Sequence, residues 1–222
     1  MRLPALDERL ACAAALFPAC EYGADIGADH GRLSCALLAS GKCRRMCVAD
    51  ISAESLEKAK RLLRLHGLAE RADFSVSDGL AALSCRADAI AILGMGGCTL
   101  ADILLRGRER LQGAALILSA HTQIPHVRET LTALGYRIDE EQAVRAGGRF
   151  YVVLRALPGA ACYSPRELLL GPCLMRTGQG AVYRDYVAWR REATACEQDK
   201  NAKTRLQWLE EEYARVCHSE ND

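Results

Sequence analysis

The chain has 222 residues, half of them hydrophobic, with 29 basic and 28 acidic side chains and a formal net charge of +1. That length suits one well-cored domain of the larger kind, or a domain with an appendage. The near-neutral charge is far from the basic stripe of a protein that binds nucleic acid by charge alone; no apolar run approaches the roughly 20 residues that span a bilayer, and Asp7, Glu8 and Arg9 close behind Met1 do not make a secretion signal.

An amphipathic opening helix (Leu6, Leu10, Ala14, Phe17) precedes a short strand ending GADIG at Gly27. Strand and helix then alternate: helix Gly31 to Ser40, strand RMCVADI, helix Ser52 to His66, strand DFSVSD, a short turn or helix from Gly79, strand DAIAILG, helix Cys98 to Arg110, strand AALILSA and helix Ile124 to Leu134. Apolar runs of five or six residues between 3.6-period segments predict a doubly wound α/β fold, its parallel strands covered on both faces. YRIDEEQAVRA and RFYVVLRAL flank Gly147-Gly148, which predicts an antiparallel hairpin at the end of the sheet. The rhythm stops around LPGAACYSP. Beyond it Val182, Tyr186, Trp189, Ala193 and Cys196, and then Ala202, Leu206, Leu209, Tyr213 and Val216, recur at spacings of four and three. These read as the seams of an antiparallel helical hairpin; one long helix packed on the sheet is the alternative. The expected division is residues 1–158 and residues 159–222.

A doubly wound sheet binds its ligand outside the carboxyl ends of its strands. Here the first strand ends Asp25-Ile26-Gly27-Ala28-Asp29-His30, the second Asp50-Ile51, the third Asp78-Gly79 and the fourth Gly94-Met95-Gly96-Gly97. Three successive strands thus deliver carboxylates to one edge, beside two glycine turns. Any one of these acids could be a helix N-cap; capping is a weaker account of all of them together. Asp29 in the first turn would repel a pyrophosphate, which argues against NAD and ATP. S-adenosylmethionine, with no phosphate, a cationic sulfonium, an ammonium and a ribose diol, suits the acids. Asp50 is placed to accept from the ribose hydroxyls, Asp78 from the adenine amino group, and the Gly94 to Gly97 turn lets backbone approach the methionine part. The pocket expected is Asp25, Gly27, His30, Asp50, Ile51, Asp78, Gly79, Gly94, Met95 and Gly96.

ADIGADHGRL, VSDGL, AILGMGG, LILSAHTQIPHVRETL and GRFYVVLRA resemble the bacterial tRNA adenine-N1 methyltransferase family called TrmK, over nearly the whole chain. The resemblance implies a class I S-adenosylmethionine-dependent methyltransferase fold with a C-terminal helical coiled coil, acting on N1 of adenine 22 in tRNA. It implies Asp29 as the catalytic acid-base residue, with Gly27, Asp50, Asp78 and the Gly94 turn in the cofactor pocket. The chain departs from the family where it has Ser119-Ala120-His121 in place of a frequent Gln-Pro-Asn after the fifth strand, so no substrate role is carried to that loop, nor any role to Arg32.

The chemistry agrees with the residues. Methyl transfer is an in-line displacement that mostly needs alignment. As N1 of adenine bonds to carbon the ring becomes cationic, and a carboxylate near the exocyclic amine stabilises that charge or takes its proton. The aromatic D/N-P-P-Y/F turn of exocyclic-amine methylases is absent from GMGGCTL, which favours a ring nitrogen. His30 orients Asp29 or is a packed side chain.

For tRNA contact the segment from Arg176 to Arg191, with Arg184, Arg190 and interleaved Tyr183, Tyr186 and Trp189, is the best candidate; its aromatics are equally suited to a helix seam. The eleven cysteines are odd in number and lack C-x-x-C, which predicts reduced, largely buried thiols in a cytoplasmic protein and no metal. A small-molecule methyltransferase and a non-catalytic S-adenosylmethionine-binding module are the competing readings; the sequence leaves the oligomeric state open.

Overall fold

Residues 3–178 and 180–218 are described by the computed structural model. In chain order they form α1 (Glu8–Leu16), β1 (Cys20–Ile26), α2 (Arg32–Ala39), β2 (Cys43–Asp50), α3 (Ala53–Leu65), β3 (Ala72–Val76), β4 (Ala89–Met95), α4 (Gly97–Arg106), the short α5 (Arg108–Leu111), β5 (Ala115–Ala120), α6 (Ile124–Ala133), β6 (Tyr136–Ala146) and β7 (Arg149–Pro158). The C-terminal part adds α7 (Pro165–Leu170), α8 (Leu174–Thr177), α9 (Gly180–Ala195) and α10 (Ala202–His218).

The seven strands make one sheet in the order β3-β2-β1-β4-β5-β7-β6. β1 to β5 are parallel, and β7 runs antiparallel to both β5 and β6. The two-residue period divides the core into two. Ile90, Ile92, Leu116 and Leu118 face the side covered by α4, α6 and the C-terminal helices; Ala89, Ala91, Leu93, Ala115 and Ile117 face α1, α2 and α3. By the same parity Ala24 and Ile26 point to the first side, so Asp25 between them lies under α2.

Local chemistry sets the helix starts. The Asp7 side chain accepts from the Leu10 N–H at α1, and Ser52 from the Ser55 N–H at α3. Ser164 and Glu167 form a reciprocal capping box at α7. The expected helix from Cys98 to Arg110 is instead broken at Gly107, where a side chain would stand 2.5 Å from the Leu80 Cβ. The missing side chain at Gly107 leaves room for Leu80 at the end of α4.

The C-terminal helices pack on the sheet. Tyr183, Tyr186, Val187, Leu209 and Val216 belong to the same core as the strand residues. The expected seam of α9 is rotated: Val182 and Trp189 are each 43 % exposed, and Tyr183, Tyr186, Val187 and Thr194 are buried. The reason is that α9 touches both α10 and the β6–β7 hairpin, so its buried stripe bisects the two directions. At its centre the Tyr183 hydroxyl donates to Glu212 over 2.9 Å, and Arg215 also donates to that buried carboxylate.

Candidate active site

From β3 at one edge the chain returns across the sheet to β4, beside β1. The reversal opens a cleft at the carboxyl ends of β1 and β4. It has a volume of ≈ 220 Å³ and is lined by Arg9, Asp25, Gly27, Asp29, His30, Gly94 and His121, among others. No helix among the described residues is long and apolar enough to cross a membrane, and none of their His, Cys, Asp and Glu side chains gather in threes as metal ligands would.

Asp25 forms the floor. Its carboxylate accepts a 2.6 Å hydrogen bond from the Ser34 hydroxyl of α2. Burial pushes its carboxyl up to about 6 from an ordinary 3.8; the Ser34 bonds oppose this, and nearby Asp50 and Asp29 add to it. The folded chain therefore keeps a proton that the unfolded chain releases. The stability this provides is complete below about pH 4 and lost as pH rises through 6, on the order of 3 kcal/mol in all. Asp25→Asn has no proton to lose. Urea unfolding at pH 4 and pH 7 should show the variant gaining on the parent by about that amount; a difference independent of pH would count against a buried, titrating Asp25.

Asp29 stands in the turn above. It has left-handed backbone (φ 48°), a conformation that Asp tolerates better than most residues, and its N–H donates to Asp50 Oδ2 over 2.9 Å. The N-cap of α2 is Gly31, so Asp29 is not a capping residue. Its side chain is 71 % exposed and lies 3.6 Å from His30 Nε2. Asp50 also accepts from the Ser52 N–H over 2.8 Å, clamping the first turn to the end of β2. Two backbone donors leave lone pairs on its carboxylate for a ligand.

Gly94 lies in a register shift between Leu93 and Met95. With φ 80° it adopts backbone that favours glycine, and a Cβ there would stand 3.1 Å from Arg9 Nη1 and 3.7 Å from His121 Nε2. These two residues enter the cleft from α1 and from the loop after β5. Arg9 Nη1 is buried without a hydrogen-bond partner, and the guanidinium lies over the Tyr151 ring at 5.5 Å. His121 packs edge-on against Tyr151 at 5.5 Å; burial, and then Arg9 and Arg149, hold its pKa below the usual histidine value, so it is neutral at pH 7.

Not every expected residue lines the cleft. Met95 borders it through Gly27, whose Cβ would lie 3.0 Å from the Met95 methyl. Asp50, Ile51, Asp78, Gly79 and Gly96 are outside its lining; Asp50 adjoins it through the bond from the Asp29 N–H. Ile51 is 74 % exposed beside Asp50, Gly79 abuts Ile103, Gly96 caps α4, and Asp78 is held by Arg106 at 2.8 and 3.4 Å. Of the arginines expected at RNA, Arg190 lines a groove next to the cleft. Arg176 donates to the Cys173 sulfur, Arg184 pairs with Asp185, and Arg191 stacks on Tyr213 at 4.5 Å. Sequence reasoning passed over Arg9, since no local spacing tells that the first helix reaches β4.

A family model described as a methyltransferase domain matches residues 6–154. The tRNA (adenine(22)-N(1))-methyltransferase of Bacillus subtilis is 34% identical over 179 residues, 77% of this chain and 75% of that protein. The crystal structure of the B. subtilis M1A22 tRNA methyltransferase TrmK matches with a TM-score of 0.80 and 27% identity, over 98% of this chain and 99% of that one. Streptococcus pneumoniae Sp1610 in complex with S-adenosyl-L-methionine matches with a TM-score of 0.88 and 25% identity, over 94% of this chain and 100% of that one.

Proposed function

The chain belongs to the tRNA (adenine(22)-N1)-methyltransferase family, and we infer that it transfers the methyl group of S-adenosylmethionine to N1 of adenine 22 in tRNA. The observation that carries the reading is a switch-point cleft where carboxylates, not bare amides, surround the glycine turns. Such a site disfavours phosphate and favours a cation.

The residues fit that methyl donor. The unpartnered Nη1 of Arg9 suits the carboxylate of an amino acid, and the free lone pairs of Asp50 suit a ribose diol. When bound, S-adenosylmethionine supplies an electrophilic methyl carbon on a cationic sulfur. Asp25, on the floor of the cleft, would lend negative potential to a site holding that charge. Asp29, whose side chain is not tied down by capping, takes the acid-base role: it faces the exocyclic amine of the adenine and accepts its proton, or offsets the positive charge, as N1 becomes alkylated. N1 is on the pairing edge, so the base must leave any stack or pair, at a few kcal/mol. Residues 159–222 help to hold the RNA while residues 1–158 hold the cofactor. With eleven cysteines, all free, and tRNA as substrate, the site of action is the reducing cytoplasm.

Incubating the purified protein with S-adenosylmethionine and a tRNA transcript, followed by nucleoside and fragment mass spectrometry, tests the reading. It requires 1-methyladenosine at position 22 and no product on a transcript with guanine there; methylation elsewhere, or none, would overturn it. Asp50→Ala removes a charge-assisted partner of the ribose, a class of bond contributing about 1.5 to 3 kcal/mol. Titration calorimetry should show S-adenosylmethionine bound at least tenfold more weakly; unchanged affinity would take Asp50 out of the pocket.

A further inference from the structure

Beside the cleft, and sharing His121 with it, runs a shallow groove between the β5–α6 loop, β7 and α9. Its floor is aromatic: Phe150 and Trp189 lie 5.9 Å apart with their planes tilted by 34°, and Tyr151 stands next to His121. Packing between α9 and the sheet accounts for Tyr186, which is buried. It does not account for Trp189, which leaves 43 % of its surface in solvent.

The rim is cationic. Arg145 lies over the Phe150 ring at 5.5 Å, Arg190 lines the groove, and Arg149 opens β7 next to Phe150. Among the described residues none of Arg145, Arg149 and Arg190 has a carboxylate partner, whereas Arg106, Arg128, Arg155 and Arg215 each do. Uncompensated positive charge around the exposed Trp189 and the half-buried Phe150 matches single-stranded nucleic acid, whose phosphates meet arginine while its bases stack. An acidic peptide would answer the charge and leave the ring faces without a stacking partner.

We propose that this groove holds the unpaired nucleotides flanking the target adenine, with one base stacked on Trp189 and Phe150 and the phosphates against Arg145, Arg149 and Arg190. The proposal rests on tRNA being the substrate. It assigns the groove a task distinct from the chemistry: once the target base is extruded its neighbours lose their stacking, and the aromatic floor replaces it next to the cleft. Trp189 is thereby a positioning residue, because it touches the substrate away from the reacting atoms.

The chain has two tryptophans, and Trp208 lies in a different groove. Trp208→Phe leaves Trp189 as the sole tryptophan emitter. Its emission should be quenched by tRNA at low salt and recover as salt is raised. In steady-state methylation, Trp189→Ala should raise KM for tRNA about tenfold or more with affinity for S-adenosylmethionine unchanged, and Trp189→Phe should keep most of the parent KM. An emission unmoved by a tRNA that the parent enzyme methylates, or a parental KM in Trp189→Ala, overturns the groove while leaving the reaction standing. Quenching by polyglutamate and not by tRNA also overturns it, in favour of an acidic protein partner. Failure of the parent to methylate or bind tRNA removes both readings.

Discussion

Asp29→Asn should lower the single-turnover rate at saturating S-adenosylmethionine by roughly 10²-fold or more, the scale of a lost acid-base group. The substitution keeps the shape of the side chain and leaves the main-chain N–H that donates to Asp50, so the turn survives and only the charge goes. Dissociation constants for cofactor and tRNA should then change little. If Asp29 serves instead as a partner of the cofactor's ammonium, the loss will appear as weaker binding and be recovered at saturation, because such an interaction is equal in ground and transition states. Near-parental rates in the variant would end the catalytic assignment. The 71 % exposure of the side chain sharpens the test, since no packing defect accompanies the change.

The second large effect concerns stability. Arg128 of α6 and Glu141 of β6 form a fully buried pair, with Arg128 Nε 2.7 Å from Glu141 Oε1. Arg128 Nη1 also donates to the carbonyls of Leu168 and Leu169, and Glu141 Oε2 accepts from the Cys173 N–H. Glu141→Ala strands the guanidinium without its counter-charge and leaves the Cys173 amide unpaired. A loss of about 3 to 5 kcal/mol is expected, which at this chain length lowers Tm by roughly 6 to 20 °C. Replacing both members, Arg128→Met with Glu141→Leu, should recover most of it, because the penalty lies in the unpaired charge. Thermal unfolding of the two variants decides the point. Equal losses in both would place the penalty in the unpaired Cys173 amide and lost packing and not in the stranded charge.

The strand ends were legible because parallel strands joined by helices carry their ligand edge in their order. That order alone puts Asp25, Gly27, Asp29, His30 and Gly94 at one cleft. What escaped was supplied by elements whose location is a tertiary fact. Arg9 on α1 is some 85 residues from Gly94 in sequence and within reach of it in space. The ion pair that occupies Asp78 reaches across to Arg106, a spacing with no local signature. The seam of α9 differs from the expected one for another reason: a spacing of four and three finds one partner, and this helix has two. In the expected helix from Cys98 to Arg110 the glycine marks the break at Gly107; the approach of Leu80, which leaves no room for a side chain there, has no local signature.

The first helix reaches the last strands. Cys12 Sγ is 3.4 Å from Gln142 Oε1, and the Leu16 carbonyl accepts from Arg155, so α1, with Arg9, rests on β6 and β7. During synthesis the amino end is made first, but the surface that seats it is made only after residue 158. A chain growing from the ribosome can pair β1 with β2 and close the Asp29 turn early, since both lie within the first fifty residues. It cannot give α1 its full seat, with Arg9 over the Tyr151 ring, until the β6–β7 hairpin has emerged. The pocket thus joins an early-made helix to a late-made hairpin, and its completion reports that the whole sheet has formed.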